Sequence, residues 1–198
     1  SNLTDAFTVK VTGNISQATL VSLASKIAKS NVEITLDLSE SQELVAISPA
    51  SSNTSVFMDC KKLVSVIFPS SLTTIGSDAF YNCDGLREIS IPSNIKTIGT
   101  YAFYSCDALE SVEIIGTETI GDSAFKYCKN LRNVYLKDVG TIGTFAFRNC
   151  QSLQNVYLEN IKTVGDYSFG DSSNDDYSRI NKSLDTVTLK NITTIGRY

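Results

Sequence analysis

Apolar positions recur along this chain in one repeated phrase. It reads IGSDAFYNCDGLREISI from Ile75, IGTYAFYSCDALESVEI from Ile98, IGDSAFKYCKNLRNVYL from Ile120 and IGTFAFRNCQSLQNVYL from Ile142. The starts are spaced by 23, 22 and 22 residues. A partial copy precedes them at Phe57-Met58-Asp59-Cys60, followed by Leu63, Val66 and Phe68. An altered copy starts at Val164, and another opens at Ile195-Gly196. A fixed period in the low twenties predicts a solenoid, in which each coil covers the apolar face of the previous one.

Inside one copy, Leu86, Ile89 and Ile91 alternate with Glu88 and Ser90, as a strand with one buried face requires. Pro92 removes a donor and ends that strand. A second extended piece, Lys96-Thr97-Ile98, follows. Gly99 allows either a positive φ or a close approach between coils. Ala102 and Phe103 are expected on a short helical turn, with Phe103 filling the core. Equivalent strands stacked about 4.8 Å apart would form parallel ladders.

Residues 1–40 lack the phrase. Phe7, Val9 and Val11 alternate as a strand, and Gly13-Asn14 turns the chain. Leu20, Leu23, Ala24 and Ile27 follow helical spacing behind Ser16, a suitable N-cap. Val32, Ile34, Leu36 and Leu38 alternate again. This strand–helix–strand unit reads as a cap over the open end of the first repeat, with repeats over 41–198. Residues 41–56 are Ser-rich and read as a degenerate first turn. The Val164 copy carries nine extra residues, a polar loop between Phe169 and Leu184. The copy that opens at Ile195 stops at Tyr198, so the array is expected to be truncated there.

Composition narrows the function classes. The 198 residues include 42% apolar residues, enough for a continuous core. The 17 basic and 21 acidic residues are intermixed at a net charge of −4, so no nucleic-acid footprint is expected. No apolar run approaches the roughly 18 residues of a membrane span. Histidine is absent, which excludes His-based triads, His general bases and His-ligated metals.

The pattern IGxxAFxxCxxLxxVxIP resembles the BspA-like leucine-rich repeats of bacterial and protist surface proteins. It is carried by the Ile-Gly pairs, the Ala-Phe pairs, and Cys83, Cys106, Cys128 and Cys150, each with a Leu three positions later. The resemblance implies an α/β fold, a right-handed leucine-rich-repeat solenoid of short parallel strands and short helical turns. It also implies a secreted or surface-anchored protein, often an adhesin contacting matrix proteins or other cells. It brings no catalytic residues to transfer.

Five cysteines, Cys60, Cys83, Cys106, Cys128 and Cys150, occupy the same repeat position. Spacings of 22 and 23 residues match no zinc pattern, and an odd count disfavours a disulfide framework. They are expected to form a structural ladder of buried free thiols under the turn. Asn181 stands at this position in the Val164 copy, which suits a group that donates to the turn backbone. Thr74, Thr97, Thr119, Thr141, Thr163 and Thr194 precede the Ile-Gly or Val-Gly pair. They read as a strand-stabilising ladder, or as a hydroxyl stripe for a ligand.

The outward strand positions vary, and variation is where a ligand surface would lie. Ser65, Glu88, Ser111, Asn133, Asn155 and Thr186 form one row; Ile67, Ser90, Glu113, Tyr135, Tyr157 and Thr188 form the next. In register, Asn133, Tyr135, Asn155 and Tyr157 would share one exposed patch of rigid aromatic area and adaptable amides. Tyr at an ordinary exposed strand position is the alternative. Asp171, Asn174, Asp175 and Asp176 could offer oxygens to Ca²⁺, but the loop lacks the Gly of an EF-hand and has Lys182 where the terminal Glu would stand. A solvated loop is expected there. Asn-x-Ser/Thr triplets at Asn2, Asn14, Asn53, Asn181 and Asn191 follow from composition.

Three readings compete. The first is a non-catalytic binding module adhering to a protein ligand, such as an extracellular matrix or cell-surface protein, through the strand face. The second is a structural spacer or self-assembly segment of a larger surface protein. The third, an enzyme, is set aside, since no nucleophile stands beside a base and no metal pair is evident. No cofactor is expected, and the oligomeric state is open.

Overall fold

The computed structural model describes residues 6–48, 55–170 and 183–197. Strand β1 (Phe7–Asn14) leads into helix α1 (Gln17–Ala28) and then β2 (Ile34–Gln42). Ser16 caps the helix as its pattern predicts: its backbone is extended and its side chain accepts from the Thr19 amide at 3.1 Å. Leu20, Ala24 and Ile27 are buried on one stripe of α1. The Cys60 thiol donates to the Ala24 carbonyl at 3.5 Å, so the helix sits directly on the first Cys of the array. The Arg87 guanidinium reaches back 54 residues to Glu33, in two bonds of 2.9 and 2.6 Å.

Beyond β2, each coil contributes two strands. The first is a two-residue piece: β3 (Ala46–Ile47), β5 (Thr74–Ile75), β7 (Thr97–Ile98), β9 (Thr119–Ile120), β11 (Thr141–Ile142), β13 (Thr163–Val164) and β15 (Thr194–Ile195). The second is the main strand: β4 (Leu63–Ile67), β6 (Glu88–Ile89), β8 (Ser111–Ile115), β10 (Asn133–Lys137), β12 (Asn155–Glu159) and β14 (Thr186–Lys190). Every strand pairing among the described residues is parallel. The short strands form one unbroken seven-stranded sheet from β3 to β15. The six threonines Thr74 to Thr194 stand in register along it, with the following Ile or Val turned inward.

Between the sheets runs a column of stacked phenylalanines. Phe57, Phe80, Phe103, Phe125, Phe147 and Phe169 follow one another at 5.0–5.2 Å between ring centres, with interplanar angles of 13° or less. Beside it the five thiols are fully buried and free of disulfides. Each of the last four donates to the carbonyl of the Phe one coil back: Cys83 to Phe57 at 3.0 Å, Cys106 to Phe80 at 3.3 Å, Cys128 to Phe103 at 3.2 Å and Cys150 to Phe125 at 3.3 Å. Asn181 lies outside the described residues.

The turn expected to be helical at Ala102-Phe103 takes a tighter form. Ala102 N–H bonds to Gly99 and Tyr104 N–H to Tyr101, each a three-residue closure. Tyr101 and Ser105 flank Ala-Phe with φ of 56° and 57°. The same pair of left-handed positions recurs in each regular coil, at Asp78 and Asn82, Ser123 and Tyr127, and Phe145 and Asn149. Such a conformation costs an L-residue about 1–2 kcal/mol. It is held by a third ladder, in which Tyr101, Phe103 and Ser105 N–H groups donate to Asp122, Ala124 and Lys126 carbonyls of the next coil at 2.7–3.1 Å. Gly99 itself serves close approach, not positive φ. A Cβ there would lie 2.4 Å from Ser77 N and 2.6 Å from Gly76 C.

The main-strand face is not continuous. It splits into β1-β2-β4-β6 and β8-β10-β12-β14, with no pairing between β6 and β8. The strand expected over Leu86–Ile91 is paired only at Glu88–Ile89. Two corner designs meet at this break. Before it, Pro69 and Pro92 accept from Leu72 and Ile95 N–H in a turn. After it, the corner residue is left-handed: Gly116, Asp138, Asn160 and Asn191 have φ of 77°, 54°, 55° and 52°. The proline corner is one residue longer, which accounts for the 23-residue step. Thr117, buried where other coils have Leu, Ile or Val, donates to the Ile95 carbonyl at 2.9 Å across this seam.

Candidate functional site

Strands β10 and β12 bring the four sequence-selected residues together. Asn133 pairs with Asn155 and Tyr135 with Tyr157 in register. The Asn155 amide donates to the Asn133 carbonyl oxygen at 2.8 Å. The two tyrosine rings stack at 4.7 Å and 4°. Stacking leaves Tyr135 and Tyr157 half-buried, where the sequence pattern suggests full exposure. Each ring covers one face of the other. Such a stack adds about 0.5–1.5 kcal/mol beyond area burial and fixes the rings in place.

A charged row borders the tyrosines. The Tyr157 hydroxyl donates to Glu159 Oε2 at 2.5 Å, and Lys190 Nζ donates to that hydroxyl at 3.1 Å. Lys190 also lies 5.1 Å from the Tyr157 ring centre. Lys137 and Glu159 face each other in register, with N–O at 3.5 Å. The Tyr157 hydroxyl bond, then Lys137 and Lys190, hold the Glu159 carboxyl below its ordinary range. The neighbouring Glu159 carboxylate raises Lys137. The patch is therefore ordered from within: amide pair, ring stack and ion pair occupy three adjacent rows of the same two strands.

A second aromatic surface lies on the turn side, where the sequence reading singled out nothing. Tyr81 and Tyr104 stack at 4.7 Å and 5°, and Tyr101 and Tyr127 meet Tyr104 edge-on at 5.5 and 5.3 Å. Burial, and then the surrounding tyrosines, push the Tyr104 hydroxyl up to about 12. Phe145 and Tyr167 stack at 5.5 Å, with Arg148 4.9 Å and Lys126 5.5 Å from the Phe145 ring centre. The signal was present: the positions just before Ala and just after Phe in the phrase hold Tyr81, Tyr101, Tyr104, Phe145 and Tyr167. A turn carries no alternation that would sort these positions inward from outward.

A family model for the BspA type leucine-rich repeat region matches residues 51–176 in six copies. The chain belongs to this family. Among solved structures, the BspA-type repeats here are similar to a leucine-rich repeat protein from Bacteroides ovatus, with 20% identity over 86% of this chain and 50% of the other, at a TM-score of 0.59. The chain thus spans half the length of that protein. They are similar also to the T. pallidum leucine-rich repeat protein, with 22% identity over 83% of this chain and 76% of the other, at a TM-score of 0.59. Both likenesses show the repeat fold. No curated protein matches the chain in sequence.

Other candidate positions of this BspA-type array divide simply. The Thr ladder is in register, with Thr119, Thr141 and Thr194 exposed. Among the described residues no group of three or more Cys, Asp or Glu side chains could hold a metal. The loop bearing Asp171, Asn174, Asp175 and Asp176 lies outside the described residues, as do Asn2 and Asn53. Asn14 donates to Glu43 at 3.0 Å and Asn191 to Asn160 at 2.8 Å. No described helix is long and apolar enough to cross a membrane.

Proposed function

We propose that this chain is a non-catalytic binding module of a secreted or cell-surface protein, adhering to a protein ligand through its strand face. Leucine-rich repeats of this family supply the general role of a protein-binding array. The observation that carries the specific reading is the ordered patch of Asn133, Tyr135, Asn155 and Tyr157 on two adjacent strands. These outward positions vary from coil to coil, and their tyrosines belong to a residue type enriched in binding hot spots. The rings are already immobilised, so binding would lose little side-chain entropy there. In this reading residues 1–40 cap the array and residues from 41 onward carry the repeats. The ligand is an extracellular matrix protein or a protein of another cell surface. The test is binding of the purified chain to a panel of such proteins by surface plasmon resonance. At least one should bind, and a Tyr135→Ala/Tyr157→Ala variant should weaken it by about tenfold or more. Unchanged affinity in the double variant removes the patch, and no binding across the panel counts against adhesion.

One observation favours a second reading, a segment that stacks on further coils. Val187, Leu189 and Ile195 continue the inward rows but are 51%, 48% and 59% exposed. Light scattering over a concentration series tests it: a mass independent of concentration removes self-assembly.

A further inference from the structure

The break between β6 and β8 opens the strand face. A cleft of about 510 Å³ lies across it, bordered by the largely buried Ile89 and Ile91, the exposed Ile115, and Ser90, Ser111 and Glu113. A smaller one of about 190 Å³ adjoins it through Ser90 and is edged by Ile67 and Glu88. From β8 to β14 the neighbouring strands are paired along their full length. At the break Pro92 has no N–H to offer, the two corner designs differ by one residue, and neighbouring coils do not zip together.

The chemistry of the opening is one-sided. Its exposed aliphatic side chains are Ile67 and Ile115, its rim carries serine hydroxyls, and its charged groups, Glu88 and Glu113, are both carboxylates. No lysine or arginine lines either cleft. Neither carboxylate takes part in an ion pair among the described residues. The nearby cation Arg87 is committed to Glu33. Two carboxylates are too few for a cation cage, and the exposed Ile67 and Ile115 suit a carbon stem. A long aliphatic chain ending in a positive charge satisfies all three features: it lays its stem on these two side chains and places its head between hydroxyls and carboxylates. Glu113 stands beside Tyr135 in strand register, so the cleft and the tyrosine patch form one surface.

We propose that this cleft receives a lysine or arginine side chain of the protein ligand, beside the tyrosine patch. The proposal rests on the reading of the strand face as a protein-binding surface. It makes the ligand a basic protein surface and assigns Glu88 and Glu113 as its charge partners.

The test uses ¹⁵N-labelled chain titrated with three probes: Nα-acetyl-lysine amide, Nα-acetyl-arginine amide and Nα-acetyl-norleucine amide. The cationic probes should give saturable shifts at the Ser90, Ile91, Ser111 and Glu113 amides, and norleucine, which has a stem without a charge, should not. A Glu88→Gln/Glu113→Gln variant, at exposed positions, should fold and bind the cationic probes about fivefold more weakly. Equal binding of norleucine, shifts spread over the surface, or full binding by the Gln variant would overturn the proposal. The Tyr135→Ala/Tyr157→Ala variant separates the two ideas. If it loses the protein ligand while the Gln variant keeps it, the patch stands and the cleft falls. If the cleft takes cationic probes but no protein binds, the cleft stands and adhesion falls.

Discussion

The Cys106 thiol donates to the Phe80 carbonyl at 3.3 Å, across one coil of the solenoid. The bond satisfies a buried carbonyl that the turn itself leaves open. Cys106→Ala deletes the donor and should cost about 1–3 kcal/mol, whereas Cys106→Ser keeps one and should cost less. Denaturant unfolding of the two variants checks the order, and equal loss in both would show that volume, not the donor, is what the position supplies.

Burial raises the Cys60 thiol to about 12 and the Cys83 and Cys106 thiols well above their ordinary value of 9.0. The reactive thiolate is therefore scarce at neutral pH, and reagent has no access. Titration of the native chain with a thiol reagent should label none of the five cysteines until denaturant is added. Rapid full labelling of the native protein would refute the buried ladder.

Gly99 and Gly116 should respond oppositely to substitution. A Cβ at Gly99 meets Ser77 and Gly76 backbone at 2.4 and 2.6 Å, which no rotamer can relieve. Gly99→Ala should cost about 2–3 kcal/mol, as overpacking does. Gly116 has φ +77° but nothing closer than 3.8 Å, and Asp138 and Asn160 fill its place in the next coils. Gly116→Asn should change stability by less than about 1 kcal/mol. Thermal unfolding of both variants measures the contrast.

The Arg87 guanidinium holds the Glu33 carboxyl below its ordinary value of 4.5, through the paired hydrogen bonds first. A carboxyl depressed in the folded state stabilises fully above its unfolded pKa and loses that effect as pH falls through the folded value. Arg87→Ala should therefore lower the Tm at pH 7, and the gap to the parent should close as the pH drops below 4.5. A gap that stays constant to strongly acidic pH would mean the pair does not tie the cap to the array.

Scaffold and face should separate in stability measurements. Phe125→Ala opens the phenylalanine column and should cost about 3–5 kcal/mol. Asn133→Ala, at an exposed strand position, should change stability by about 0.5 kcal/mol or less. A large loss at Asn133 in chemical unfolding would make it part of the scaffold and weaken its role in recognition.

The inward rows were legible because each coil repeats the same constraint: Ile98, Phe103, Cys106 and Leu109 must match the coil on either side. The same register places Tyr135 beside Tyr157 from the spacing of the copies alone. Three features were not legible. Leu86–Ile91 reads as a full strand, yet its pairing depends on where the neighbouring coil turns, which Pro92 and Gly116 decide jointly. Tyr101 and Phe145 carry no local sign of positive φ, since the inter-coil ladder imposes it. The Tyr157–Glu159–Lys190 chain of contacts spans 33 residues across the loop and needs the register of β14 to be known.

The turn-side ladder has a further consequence. Its N–H groups all point toward the following coil and its carbonyls toward the preceding one. The two-residue strands run the opposite way: the Gly99 and Gly121 N–H groups donate to the Ile75 and Ile98 carbonyls of the preceding coil. Toward the coil that follows, a regular coil thus presents N–H donors along its turn side and carbonyl acceptors along its short-strand side. A coil stacking on it must match both rows at once, which fixes its rotation about the solenoid axis as well as the face it meets.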